Sequence, residues 1–165
     1  MTSKQVEIAA EAYAATLLAQ AGYDVFVQYG ANQPDYDLVG ITDDRMLTIS
    51  VKGSQTGAWG LAQNYKKGNT YPTAIRLWKE KQRSGVFFIL VQFREVELGS
   101  APRAYIASTE EIGAQLQTQC NGRGHLALRE DYRRFHPRSQ YDDKIPDSWK
   151  FCNASVENGQ REEYI

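Results

Sequence analysis

The chain has 165 residues, of which 42% are hydrophobic and 12% aromatic. This length and composition predict one domain over residues 1–165 with a buried core, and they exclude intrinsic disorder. The formal net charge of −1 excludes a histone-like polycation, so contact with nucleic acid would have to come from local clusters of lysine and arginine.

The first predicted element is a helix that begins at Thr2 and ends before Gly22. Thr2 and Gln5 have the spacing of a capping box. Apolar residues recur at helical intervals at Val6, Ala10, Tyr13, Leu17 and Ala21. Glu7 and Glu11 lie four residues apart, and they therefore project together from the flank of this apolar stripe.

Three strands are predicted next, at 24–29, 36–42 and 46–52, because these segments are rich in β-branched and aromatic residues. Residues 43–45 form a plausible hairpin turn between the last two strands. Alternation of side chains places Asp37 on one side of the second strand, and Ser50 and Lys52 on the polar side of the third. If these two sides belong to the same face of the hairpin, Asp37, Ser50 and Lys52 lie close together.

The second half begins with a Gly-rich loop at 54–71, in which we expect a short helix near 59–65. Trp59 in this loop suits either a lid over a ligand or a hydrophobic plug. Pro72 starts a predicted helix, 86–93 and 103–107 are predicted strands, and Thr109 caps a helix over 109–120. The tail from residue 121 is expected to be irregular. This order of elements predicts an α/β sandwich with a mixed sheet.

Charge is distributed unevenly along the chain. The first 50 residues are mostly acidic, whereas residues 66–83 are mostly basic. The basic segment could bind a phosphate backbone, and solvated helix faces produce the same pattern, so both interpretations stay open. The candidate nucleic-acid-binding residues are Lys66, Lys67, Lys79 and Arg83.

Cysteine content and hydropathy predict a cytoplasmic protein without membrane contact. Cys120 and Cys152 lack the spacing of a zinc site or a disulfide framework. The segment MTSKQVEIAAEAYAA has no basic region followed by a long apolar run, so we do not expect it to be a signal peptide. The apolar segment VFFILVQF is too short to span a bilayer.

Three residues supply the groups that phosphodiester hydrolysis requires. A divalent cation held by carboxylates neutralises the developing charge and lowers the pKa of water, and a lysine beside it can orient that water or stabilise the transition state. Glu11, Asp37 and Lys52 are of these types.

The segments EAYAATLLAQAGY, PDYDLVG and ISVKG together resemble the PD-(D/E)XK nuclease superfamily, in its Holliday-junction-resolvase-like and restriction-endonuclease-like branches. The resemblance covers a core of about residues 3–116, followed by an extension over 117–165. It implies a restriction-endonuclease-like α/β/α sandwich with a central mixed sheet. It also implies hydrolysis of DNA with Mg²⁺ or Mn²⁺. Relatives of this kind often dimerise, and no residue here decides whether this chain forms a homodimer.

The resemblance assigns Glu11 and Asp37 as metal ligands and Lys52 as the motif lysine. Asp35 follows Pro34 and spells the literal motif, but Asp37, which precedes Leu38 and Val39, better resembles the ligand that starts a buried strand.

Ser50 stands where the family normally carries an acidic residue, and it completes the candidate catalytic set of Glu11, Asp37, Ser50 and Lys52. A serine hydroxyl is a poor ligand for a hard cation. Either Glu7 or Asp35 substitutes for the missing carboxylate, or metal binding is too weak for catalysis. In the second case the chain would be an inactive nuclease-fold module that binds nucleic acid or a partner protein.

Overall fold

A computed structural model describes residues 1–27 and 36–151 of the chain. The helices are α1 (Ser3–Gln20), α2 (Tyr71–Lys81), α3 (Thr109–Gly122) and α4 (Tyr132–Phe135). The strands are β1 (Asp24–Val27), β2 (Leu38–Ile41), β3 (Met46–Ser54), β4 (Ala58–Gly60), β5 (Val86–Gln92), β6 (Arg103–Ser108) and β7 (Ala127–Arg129). Short 3-10 helices lie at Gln63–Tyr65 and Asp147–Trp149.

The central sheet has five strands in the order β1-β2-β3-β5-β6. Strands β3 and β5 are parallel, and the other neighbouring pairs are antiparallel. A parallel pair cannot be joined by a tight turn, so residues 55–85, which include α2, cross over from one end of the sheet to the other. The predicted mixed sheet is confirmed.

Helices cover both faces of this sheet, as the predicted α/β sandwich requires. On one face α1 packs against alternate residues of β3 and β5, including Ile49, Val51 and Ile89. On the other face α2 and α3 pack against Phe88 and Leu90. Strand β5 is buried on both sides, which explains its nearly continuous apolar sequence.

Helix α1 begins with the predicted capping box between Thr2 and Gln5. Val6 and Ala10 are buried as predicted, but the buried stripe then continues through Ala14 and Leu18 rather than through Tyr13, Leu17 and Ala21. The small residues face the sheet because α1 lies very close to β3: a Cβ added to Gly53 would stand 2.8 Å from the Val6 carbonyl oxygen. Tyr13 and Leu17 therefore lie at the margin of the contact.

Helix α3 begins at Thr109, where the predicted helix starts, but Ser108 rather than Thr109 is its cap. The Ser108 hydroxyl accepts a hydrogen bond from the Glu111 amide, and the Glu111 carboxylate accepts one from the Ser108 amide. Only Ser108 has an acidic residue three positions later that can complete this reciprocal box. The Thr109 hydroxyl instead donates to the Val86 carbonyl oxygen at 3.3 Å.

The tail is only partly irregular, because the described residues 123–151 include β7, α4 and the 3-10 helix at Asp147–Trp149. Strand β7 pairs antiparallel with β4, a strand that the predicted loop after Gly53 did not include. Leu128, Ile145 and Trp149 are buried in the same core as α2. Trp59 in β4 is a plug rather than a lid: it is 2% exposed, and its indole N–H donates to the Val91 carbonyl oxygen.

Several predicted features extend beyond the described residues. Residues 28 and 29 of the first predicted strand, Asp35 and Cys152 all lie outside them. Cys120 is a buried free thiol. Within 1–27 and 36–151, no helix is both long enough and apolar enough to cross a membrane.

Candidate active site

The hairpin of β2 and β3 brings Asp37 beside Ser50, as side-chain alternation predicts. Leu38 pairs with Ile49, and the Asp37 amide donates to the Ile49 carbonyl oxygen at 2.7 Å. The Asp37 Oδ2 then accepts hydrogen bonds from the Val51 amide at 2.6 Å and from the Ser50 hydroxyl at 3.2 Å. Two donors on one oxygen fix the orientation of the carboxylate.

Lys52 lies two residues beyond Ser50 on the same side of β3, and it lines a cleft together with Asp37 and Glu11. This first cleft has a volume of about 400 Å³ and runs between α1 and the end of β3. Lys52 is exposed, whereas Ser50 is only 6% exposed. The first cleft therefore combines a fixed carboxylate with a solvent-accessible ammonium group.

Glu11 reaches the first cleft from α1, and Gly53 sets the distance between helix and strand. A Cβ at Gly53 would also stand 2.9 Å from the Ala10 Cβ, so only glycine allows this approach. Burial raises the pKa of the Glu11 carboxyl, the negative charges of Asp37 and Glu7 raise it further, and Lys4 and Lys52 lower it. The negative charges of the Glu11 and Asp37 carboxylates therefore repel each other, and a positive charge between them would reduce that repulsion.

We expect Glu11→Gln to alter how the stability of the fold depends on pH. Because the pKa of Glu11 is raised in the folded chain, its contribution to the free energy of unfolding is full below the ordinary value of 4.5 and is lost as the pH rises through the folded value. Glutamine stays neutral and suffers no such loss. Urea unfolding with a chelator should show the variant gaining stability relative to wild type above pH 4.5, then levelling off. A difference that does not vary with pH would contradict this.

A second cleft lies on the other side of Asp37 and Lys52, which line both clefts. Its volume is about 300 Å³. Its further lining residues are Tyr36, Ser50, Gly60, Leu61, Asn64, Tyr65, Trp78, Gln82 and Phe88. No local sequence signal points to Asn64 or Gln82, because the crossover of residues 55–85 alone brings them to β3.

The four predicted nucleic-acid-binding residues each have different contacts. Arg83 lies over the Tyr36 ring, with 5.8 Å between its guanidinium carbon and the ring centroid, and Tyr36 lines the second cleft. Lys79 lies between α2 and α3, where it pairs with Glu110. Lys66 donates to the Asn69 carbonyl oxygen and lies over the Tyr71 ring, and Lys67 is exposed.

Glu11 and Asp37 are the residues here that could hold a metal ion. In the part of the chain that is described, no group of three or more His, Cys, Asp or Glu side chains has the arrangement of a metal site. Glu7 lines the first cleft but is exposed and pairs with Lys4 at 3.1 Å. Asp35, the other predicted substitute for the missing carboxylate, lies outside the described residues.

The chain thus has a mixed α/β fold. Two carboxylates, those of Glu11 and Asp37, and the Lys52 ammonium group line one cleft at the end of a central strand. No family model matches the chain, and no curated protein matches it. Among solved structures, the chain is similar to a bacterial homing endonuclease, I-Ssp6803I, with 20% sequence identity, a TM-score of 0.37 and coverage of 67% of each chain. At that TM-score the similarity carries no weight for activity.

Proposed function

We propose that this chain is a metal-dependent nuclease of the PD-(D/E)XK type that hydrolyses phosphodiester bonds in DNA. The observation that supports this most strongly is the convergence of Asp37, Lys52 and Glu11 on one cleft, with Asp37 held by the Val51 amide and the Ser50 hydroxyl. Glu11 lies on α1, Lys52 lies on β3 and Asp37 immediately precedes β2, so the fold itself assembles the set.

The donor set fits a magnesium or manganese ion. Proteins hold Mg²⁺ through one or two carboxylates, with waters and substrate phosphates completing the shell. Among the described residues, both hydrogen bonds to the Asp37 carboxylate end on Oδ2, so Oδ1 keeps its lone pairs for a cation. The charge of Asp37 raises the pKa of Glu11, and a cation between the two carboxylates would relieve that repulsion.

Each residue then has a distinct role in hydrolysis. A divalent cation bound here would supply Lewis acidity towards the phosphate and lower the pKa of water. Asp37 and Glu11 would hold that cation. The Lys52 ammonium neutralises charge that develops on the phosphate oxygens and orients the attacking water. Ser50 acts through Asp37, because its hydroxyl helps to fix that carboxylate.

Cleavage assays test the proposal directly. Purified chain is incubated with single-stranded, duplex and branched DNA in Mg²⁺, in Mn²⁺ and in chelator. We expect metal-dependent cleavage that falls at least about 100-fold in Asp37→Ala and Lys52→Ala, the loss typical of a positioned catalytic group. Gln117→Ala, on the exposed side of α3 and outside the basic segment, is the control and should cleave like wild type. Equal cleavage by all the proteins would point to a contaminant and refute the assignment.

A second candidate function is binding of nucleic acid without cleavage, and Ser50 favours it. With serine at this position the site carries one negative charge fewer than a carboxylate would supply, which weakens metal affinity. Calorimetric titration with Mn²⁺ separates the two functions. Saturable binding that Asp37→Ala abolishes supports the nuclease, whereas no heat of binding supports the module without catalysis.

A further inference from the structure

We propose that the second cleft is a subsite for one unpaired nucleobase, next to the phosphate that Asp37 and Lys52 would contact. The proposal rests on the proposed function for the position of that phosphate. Asp37 and Lys52 line both clefts, so a phosphate at these residues has the second cleft directly beside it. The base attached to that phosphate is the part of the substrate that can enter.

The walls of the second cleft offer aromatic faces. Tyr36 and Tyr65 are both partly exposed, and Trp78 and Phe88 form a buried apolar floor with 5.7 Å between their ring centroids. Arg83 lies over the Tyr36 ring and adds a planar cation at the rim. Aromatic rings and guanidinium planes are the groups on which unpaired bases stack.

Two amide side chains give the second cleft the polar groups that read a base edge. Asn64 is exposed, and Gln82 donates from Nε2 to the Trp78 carbonyl oxygen at 2.8 Å, which fixes its amide group. The Gln82 Oε1 thus remains available as an acceptor, and Asn64 offers both a donor and an acceptor. Amides of this kind complement the hydrogen-bonding edges of bases.

The size of the second cleft selects an unpaired base over a base pair. A volume of about 300 Å³ is at the lower end for a small-molecule site and suits one base with its sugar. A base inside a duplex remains stacked and paired, so it would have to be extruded to enter. The substrate is therefore a single strand, a loop or a branch point rather than an intact duplex.

This subsite also accounts for Ser50. Ser50 lines the second cleft but not the first, and it donates to Asp37 and is paired with Phe88 of the apolar floor on the neighbouring strand. A carboxylate here would narrow the entrance and place a negative charge beside the base. A small neutral hydroxyl keeps the entrance open while it still donates to Asp37.

Fluorescence anisotropy with the full chain in chelator tests the subsite without any hydrolysis. The probe is a short, labelled single strand of abasic residues with one base retained at its centre, and the reference is the same backbone with no base. Deoxyribose and ribose versions distinguish DNA from RNA as the source of the base. We expect the retained base to tighten binding about tenfold, within the range for one base stacked on an aromatic ring.

Two variants and a control make the result specific. Tyr65→Leu and the exposed Asn64→Ala should each remove most of the gain from the base, whereas Gln117→Ala, between α2 and α3, should keep it. Thermal unfolding checks that each variant is folded. Equal affinity with and without the base, no binding of either probe, or an unchanged gain in both variants would overturn the subsite. A gain without metal-dependent cleavage would refute the hydrolysis alone, and cleavage without a gain would refute the subsite alone.

Discussion

Replacing Ser50 with aspartate is expected to make the stability of the fold depend on a divalent cation. Ser50 is 6% exposed, and its hydroxyl lies 3.2 Å from the Asp37 Oδ2. A carboxylate at this position would meet Asp37 at short range, where like charges repel strongly. Room for the longer side chain exists, because Ser50 borders the second cleft.

The expected size of this effect follows from the cost of a buried, unpaired charge. Without metal, the free energy of unfolding should fall by about 3 kcal/mol at neutral pH. If a cation relieves all of that cost, linkage requires the affinity for Mn²⁺ to rise about 100-fold, since about 1.4 kcal/mol corresponds to a factor of ten. Urea unfolding and calorimetric titration, each with and without Mn²⁺, measure the two quantities.

Ser50→Asn is the matched control, because asparagine has the shape of aspartate without its charge. It should lose less stability than Ser50→Asp, and Mn²⁺ should not restore the loss. If the two variants behave alike, the effect comes from size rather than charge, and the position is not next to a cation site.

The second large effect is expected at Glu130, which is 4% exposed and holds the tail against β6. Its carboxylate accepts two hydrogen bonds from the Arg103 guanidinium, at 2.6 and 3.0 Å, and one from the Tyr105 hydroxyl at 2.7 Å. Burial and then the hydrogen bond to Glu130 raise the pKa of Tyr105, so the phenol stays a donor. Glu130→Ala leaves Arg103 without its partner and should cost about 3 kcal/mol of unfolding free energy.

Denaturant unfolding of three further variants tests that assignment. Glu80→Ala breaks the exposed pair with Arg76 and should change stability by about 0.5 kcal/mol or less. The double variant Arg103→Met, Glu130→Leu should recover much of the loss, because it leaves no unpaired charge. Tyr105→Phe should cost about 1 kcal/mol. A Glu130→Ala variant as stable as Glu80→Ala would contradict the role of this network.

The convergence of Asp37 and Ser50 was predictable from the sequence because it depends only on local rules. Side chains alternate along a strand, and a short turn at 43–45 fixes the register of the hairpin. The apolar sequence of β5 likewise predicted a strand covered on both faces. In both segments, residues only a few positions away along the chain determine the structure, so the sequence pattern is enough to predict it.

The features that the sequence did not reveal depend on distant partners. Strand β4 forms because β7 pairs with it, with Trp59 opposite Leu128, and a three-residue strand has too short a pattern to be recognised alone. The set of α1 residues that is buried depends on how closely the helix approaches Gly53 in β3, and not on the sequence pattern of the helix alone. The second cleft exists because the crossover places Asn64 near Ser50.

The crossover of residues 55–85 also places the two proposed functions of the site, contact with the phosphate and binding of the base, in different parts of the chain. Asp37 and Lys52 belong to the hairpin, whose register the sheet holds rigidly, whereas Asn64 and Tyr65 lie outside the sheet on the connection. Substitutions at 64 and 65 can therefore alter which base is accepted without moving the groups that would act on the phosphate. Substrate preference could thus diversify, in nature or by design, on an unchanged catalytic framework.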